Sequence, residues 1–112
     1  MGDRGRGELL PGTLDLLVLK ALQLEPMHGW GITERIEQWS NRVLQVNQGS
    51  LYPALYRLEA QALIEAEWRT TENNRRARYF RLTAAGRRRL EHERRRWEEL
   101  AGAIQRVLAV GG

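Results

Sequence analysis

One stretch limits this chain more than any other: Asn47-Gln48-Gly49-Ser50-Leu51-Tyr52-Pro53-Ala54-Leu55-Tyr56-Arg57-Leu58-Glu59. Its apolar residues stand at 51, 54, 55 and 58, the repeat of one buried helical face. Pro53 restricts where that helix can begin. Proline lacks the backbone N–H that a helix interior uses, and it is tolerated in the first turn, where no partner is needed. A start near Gly49 follows, capped by Asn47 or by Gly49-Ser50. That start puts Ser50 and Tyr52 at the helix N-terminus. Gln48, Ser50, Tyr52, Tyr56 and Arg57 turn away from the apolar face, and all can hydrogen-bond. A helix buried on one side and polar in this way on the other has the make-up of a recognition helix, one that enters a DNA groove.

The flanking sequence supplies the frame such a helix needs. Residues 1–8, with Arg4 and Arg6 among glycines, read as a disordered arm. It is either a frayed terminus or a basic arm reaching for phosphate or the minor groove. Thr13 is the expected cap of a first helix whose apolar face is Leu14, Leu17, Val18, Ala21, Leu22 and Leu24. Glu25-Pro26 closes it, because the residue before proline disfavours helix. A second helix is expected from about His28 to Ser40, with Ile32, Ile36 and Trp39 facing inward. Gly29 and Gly31 near its start cost helix stability, which points to close backbone packing there. Beyond Gln61 the pattern changes. Leu63, Ile64, Ala66 and Trp68, then Tyr79, Phe80 and Leu82, lean towards strand, and the polar run from Thr70 to Arg76 joins them as a hairpin with a long basic tip. Thr83 then caps a last helix running from Ala84 to about Val110. Its apolar positions Leu90, Trp97, Leu100, Ala101, Ile104, Val107 and Leu108 advance in steps of seven, three and four, a heptad-like seam.

These elements predict a mainly α protein with a small β-hairpin: a winged helix-turn-helix over residues 9–83, followed by a long dimerisation helix over 84–110. A last helix of that length cannot bury its seam against so small a body, and a partner helix from a second copy is the simplest solution. Leu14, Val18, Leu90, Trp97, Leu100, Ile104, Val107 and Leu108 are the expected interface. A homodimer would set two recognition helices one DNA turn apart and demand a near-palindromic site.

Charge supports an anionic partner. The net charge is +4, and Lys20 is the only lysine, so the basic residues are almost all arginine, the side chain suited to bidentate phosphate or guanine contact. From Arg69 to Arg96, eleven arginines stand against three glutamates, a balance of +8 that leaves −4 for the rest of the chain. The candidate contacts to double-stranded DNA are Gln48, Ser50, Tyr52 and Arg57 on the helix and Asn74, Arg75, Arg76 and Arg78 on the hairpin. Ser50 and Tyr52 suit phosphate oxygens, and Gln48 and Arg57 suit base edges. The competing reading is ordinary surface, with the tyrosines partly buried and Arg57 paired with Glu59 or Glu34.

No catalytic constellation stands out. His28 and His92 lie on different helices, there is no cysteine, and Gly29-Trp30-Gly31 lacks the further glycine and preceding strand of a phosphate loop. No metal site or cofactor is expected. The start of the chain has no apolar core of a signal peptide, and the longest apolar stretch is broken by Asp15, Lys20 and Gln23. A cytoplasmic protein without a membrane segment is the expectation.

The motifs resemble the PadR family of transcriptional regulators over most of the chain, from Leu10 to about Leu108. The matching pieces are Gly12-Thr13-Leu14-Asp15-Leu16-Leu17, His28-Gly29-Trp30-Gly31-Ile32, Gly49-Ser50-Leu51-Tyr52-Pro53-Ala54-Leu55 with Arg57-Leu58-Glu59, and Arg78-Tyr79-Phe80-Arg81-Leu82-Thr83-Ala84-Ala85-Gly86. The short C-terminal part looks like the compact subgroup with a single terminal helix. The resemblance implies a dimeric winged-helix repressor built on its first and last helices. It also implies a small hydrophobic or phenolic effector in some members, held near the subunit interface and in a few by a tryptophan of the last helix, which by helix position would be Trp97. The family motif more often has tyrosine where this chain has Trp30, so that phenol hydroxyl is absent here. The alternatives to sequence-specific repression are a small-hydrophobe sensor and a winged helix used for protein contact.

Overall fold

The computed structural model describes residues 12–112; the Arg4 and Arg6 arm lies outside them. The order is α1 (Thr13–Leu24), β1 (Met27–His28), α2 (Gly29–Trp39), α3 (Gln48–Ala60), β2 (Ile64–Thr70), β3 (Arg76–Leu82) and α4 (Ala84–Leu108). The strands form an antiparallel sheet in the order β1-β3-β2. This is a winged helix-turn-helix with a long C-terminal helix.

The core is where the apolar spacing puts it. Leu51, Ala54, Leu55 and Leu58 of α3 are buried against Val18, Leu19 and Leu22 of α1, Ile32 and Ile36 of α2, and Ile64, Phe80 and Leu82 of the sheet. Leu90 of α4 closes one side. Two expected inward residues are not buried: Trp39 and Leu24 sit at the ends of their helices, beyond the reach of the core, and both are exposed.

Helix ends differ from the sequence reading in three places. α1 is not capped by Thr13; Gly12 occupies the cap with φ 88°, a left-handed backbone that favours glycine, and no side chain bonds there. α2 is preceded by β1, too short to leave an alternating pattern, and is capped by His28, whose Nδ1 accepts from Gly31 N at 3.0 Å. α3 begins at Gln48, one residue before the expected start near Gly49, and is capped by Asn47, one of the two expected caps, whose Oδ1 accepts from Gly49 N at 2.6 Å. Pro53 therefore falls in the second turn. The bond it forgoes is the one to the carbonyl of Gly49, at an exposed position open to water, which is why the helix tolerates it.

The turn between α2 and α3 is held by side chains. Ser40 Oγ accepts from Leu44 N at 3.1 Å, and the Glu37 carboxylate accepts from Val46 N at 3.0 Å. At the far end of the wing, Thr83 does cap α4: its hydroxyl accepts from Gly86 N at 3.0 Å and donates towards the carbonyls of Ala62 and Leu63. A Cβ on Gly86 would collide with the Leu63 carbonyl and the Leu82 side chain, so glycine lets α4 sit directly on the start of β2. From there α4 packs along α1, and its second half runs out from the body, giving the molecule extents of 57 × 35 × 20 Å.

Candidate nucleic-acid interface

α3 presents its polar side and its N-terminus to solvent. Ser50 is exposed in the first turn, where the helix dipole favours an anion, while the amides of Gly49, Ser50 and Leu51 are already taken by Asn47. Gln48 is exposed but tethered: its Nε2 donates to the Thr33 hydroxyl of α2 at 2.9 Å, which leaves its carbonyl oxygen outward. Tyr52 leans on α2. Its ring and hydroxyl occupy the space that a Cβ on Gly29 would fill, so the packing expected at that glycine is real and its partner is the recognition helix. Gly31 has only ordinary contacts. Tyr56 lies one turn on, its ring centroid 6.2 Å from that of Tyr52.

Arg57 is turned to the other side. Its Nη2 donates to Asp15 Oδ1 of α1 at 2.7 Å, and neither Glu59 nor Glu34 is its partner. Glu59 instead receives Arg78 from β3 at 2.8 Å, a half-buried pair that ties the wing to α3.

Strand alternation sorts the rest of the wing. Ile64 pairs with Leu82, Ala66 with Phe80, Trp68 with Arg78 and Thr70 with Arg76. Side chains on these positions share one face. At the body that face is buried by Ile64, Phe80 and Leu82; towards the tip it becomes Trp68, Arg76 and Arg78. The Arg76 guanidinium lies over the Trp68 ring, 5.4 Å from its centroid, and Arg78 lies over Phe80 at 5.6 Å. The opposite face carries Glu65 with Arg81 at 3.0 Å and Glu67 with Arg69 at 2.9 Å, and Arg69 also covers Tyr79. The Arg69 hydrogen bond and charge hold the Glu67 carboxyl below its usual pKa. Three of the five wing arginines are thus neutralised by glutamates. Among the described residues, Arg75 and Arg76 have no carboxylate within ion-pair distance.

The tip closes through Thr71 N to the Arg75 carbonyl and Asn74 N to the Thr71 carbonyl at 2.9 Å. Asn74 has φ 61°, the left-handed region that asparagine tolerates better than most residues, so its place there has a backbone reason of its own. Between tip and α3 lies an open cleft of about 540 Å³, lined by Trp30, Tyr52, Tyr56, Trp68, Arg75 and Arg76 among others. Of the residues proposed from sequence, Tyr52, Arg75, Arg76 and Arg78 meet in this cleft. Ser50 and Gln48 sit at the α3 N-terminus and Arg57 lies apart. Trp30 and Trp68, 61% and 58% exposed, were not among them. The signal was present: the step Ile64, Ala66, Trp68 continues one strand face outward past the end of the core.

On α4, Trp97, Leu100, Ile104, Val107 and Leu108 are exposed along the seam. Two expected interface residues do not belong with them. Val18 is 0% exposed and Leu90 is 3% exposed, so both are spent on the protomer's own core and have no surface to give a partner. Leu14 is half-buried. Arg94 is held between Glu91 and Glu98, and the Glu91 hydrogen bond raises its pKa further.

A helix-turn-helix, a third helix with an exposed N-terminus and a basic wing beside it define a winged-helix DNA-binding protein. Residues 18–92 match the transcriptional regulator PadR-like family, and the chain belongs to that family. A transcriptional regulator of Mycobacterium tuberculosis is 41% identical over 78 residues, covering 70% of this chain and 69% of that protein. An uncharacterised 37.1 kDa protein in a transposon of Streptomyces fradiae is 44% identical over 89 residues, which is 80% of this chain but 24% of that protein. The crystal structure of a PadR family transcriptional regulator from Eggerthella lenta has a TM-score of 0.76 at 29% identity, covering 89% of this chain and 85% of that one. Among the described residues, no helix is long and apolar enough to cross a membrane.

Proposed function

We propose that this regulator is a repressor that binds a near-palindromic operator as a homodimer and blocks a promoter by occupying it. The observation that carries the reading is the convergence in one cleft of Tyr52 and Tyr56 of α3 with Arg75 and Arg76 of the wing, which have no carboxylate partner among the described residues. Phosphates would be met by Ser50, Tyr52, Arg75 and Arg76, favoured by the α3 dipole; base edges by Gln48. Arg78 acts behind them as the strut between wing and α3. Arg57 serves base reading only by leaving Asp15.

The exposed seam of α4 supports the homodimer, with residues 84–110 as the dimerisation helix and the preceding body as the DNA-binding unit. Binding of a duplex drawn from upstream of the coding sequence, followed by fluorescence anisotropy, tests the proposal. Two chains per duplex and a clear preference over a scrambled duplex are expected; equal affinity for both would overturn it.

One further observation supports an effector. A cleft of about 400 Å³ between α1 and α4 is lined by Thr13, Leu16, Trp97 and Leu100, with Arg96 and Glu93 at its edge. A small hydrophobic or phenolic molecule fits that mixture, and binding there would shift the dimer spacing and with it the two recognition helices.

A further inference from the structure

The cleft beside α3 holds more aromatic surface than a phosphate-binding site needs. Trp30 at the start of α2, Tyr52 and Tyr56 on α3 and Trp68 on the wing line one groove. All four are exposed. Exposed tryptophans on a small domain are a sign of contact, since that much apolar surface is costly to leave in water. Their neighbours say what kind. Arg75 and Arg76 line the same groove, and Arg76 is already laid against the Trp68 ring. A surface both aromatic and cationic fits a ligand that alternates apolar and anionic parts.

We infer that this cleft grips one sugar–phosphate strand of the DNA duplex, with Trp68 and Trp30 packed on deoxyribose and Arg75 and Arg76 on the flanking phosphates. The inference rests on the DNA-binding reading and adds two contact residues to it. The groove lies between the helix meant for one DNA groove and the tip meant for the next, and the backbone strand is what separates two grooves. Trp68 has a second part here, because its ring holds the Arg76 guanidinium in place before DNA arrives. Arg78, across the sheet from Trp68, also lines the cleft, but its charge is taken by Glu59. Arg75 and Arg76 are therefore the cleft arginines offered to phosphate.

The test uses the full chain and two probes: the upstream duplex and a single-stranded oligothymidylate. Trp68→Leu and Trp30→Leu should each weaken duplex binding about tenfold, the order expected for removing part of a buried aromatic surface. Melting temperatures should stay near wild type, because both side chains are largely exposed. Trp39→Phe, at the far end of α2, is the control and should bind as wild type. Duplex addition should change the tryptophan emission of wild type and of Trp39→Phe, and change it less in Trp30→Phe and Trp68→Phe.

Wild-type affinity for the duplex in both tryptophan variants would overturn the inference and leave the DNA-binding reading standing. Tighter binding of the oligothymidylate than of the duplex would also overturn it, in favour of unpaired bases stacking on the rings. No preference of the wild type for the upstream duplex over a scrambled one would overturn the operator reading itself.

Discussion

The cleft beside α3 and the seam along α4 both leave tryptophan in the open, and their neighbours set them apart. Trp30 and Trp68 stand beside Arg75 and Arg76, which among the described residues have no carboxylate partner, and the Arg76 guanidinium lies over the Trp68 ring. Trp97 stands in a line with Leu100, Ile104, Val107 and Leu108, while the helix's Arg94 and Arg95 are satisfied by Glu91 and Glu98 on the same helix. Under the proposed function the first surface takes a polyanion and the second another apolar helix. An exposed aromatic residue is therefore informative only together with the charges around it.

Substitutions in the two surfaces and at the joint between them should separate their roles. The largest effect is expected from Ile104→Asp, which places a charge in the middle of the seam. Light scattering should report monomers, and duplex affinity should fall by about a hundredfold or more, because a monomer holds a single half-site. A persistent dimer would mean that the seam is not the interface. Gly86→Ala strikes the joint between the two regions, where a Cβ meets a backbone carbonyl and cannot be accommodated by a side-chain rotation. Urea unfolding should show a loss of about 1–3 kcal/mol.

Gly29→Ala is milder. The atom it meets belongs to Tyr52, which can swing outward. Stability should change little, while DNA binding weakens several-fold because the recognition helix loses a placed hydroxyl. Unchanged binding would show that Tyr52 does not touch DNA. The smallest effect is expected for Asp15→Ala. It removes an exposed ion pair with Arg57 worth about 0–1 kcal/mol in urea unfolding.

The fold was legible because periodicity reports burial directly. Leu51, Ala54, Leu55 and Leu58 had to share a buried face, and the alternation from Ile64 to Trp68 had to be a strand. The Thr83 cap was legible from a hydroxyl placed just before a helix, yet the same signal failed at Thr13, where Gly12 takes the cap. Other features depend on which distant residues meet. Nothing near Arg57 in sequence announces Asp15, 42 positions away, and nothing near Arg78 announces Glu59. Among the described residues the pairing left Arg75 and Arg76 as the unneutralised wing charges, a distinction that counting arginines does not make. Val18 and Leu90 fit an apolar seam by spacing, but spacing does not say whether the covering surface is the protomer or its partner. Pro53 placed the start of α3 to within a residue but does not itself sit in the first turn: a proline further in is tolerated where the carbonyl it orphans faces water.

The central claim is that two wing arginines and the α3 N-terminus hold DNA phosphate. The direct measurement is duplex affinity as a function of salt, for wild type and for Arg75→Ala/Arg76→Ala. Wild-type affinity should fall steeply on a logarithmic plot. The double variant should bind more weakly, with a slope flatter by about one unit for each phosphate it no longer neutralises. A wild-type affinity insensitive to salt, or an unchanged slope in the double variant, would contradict it.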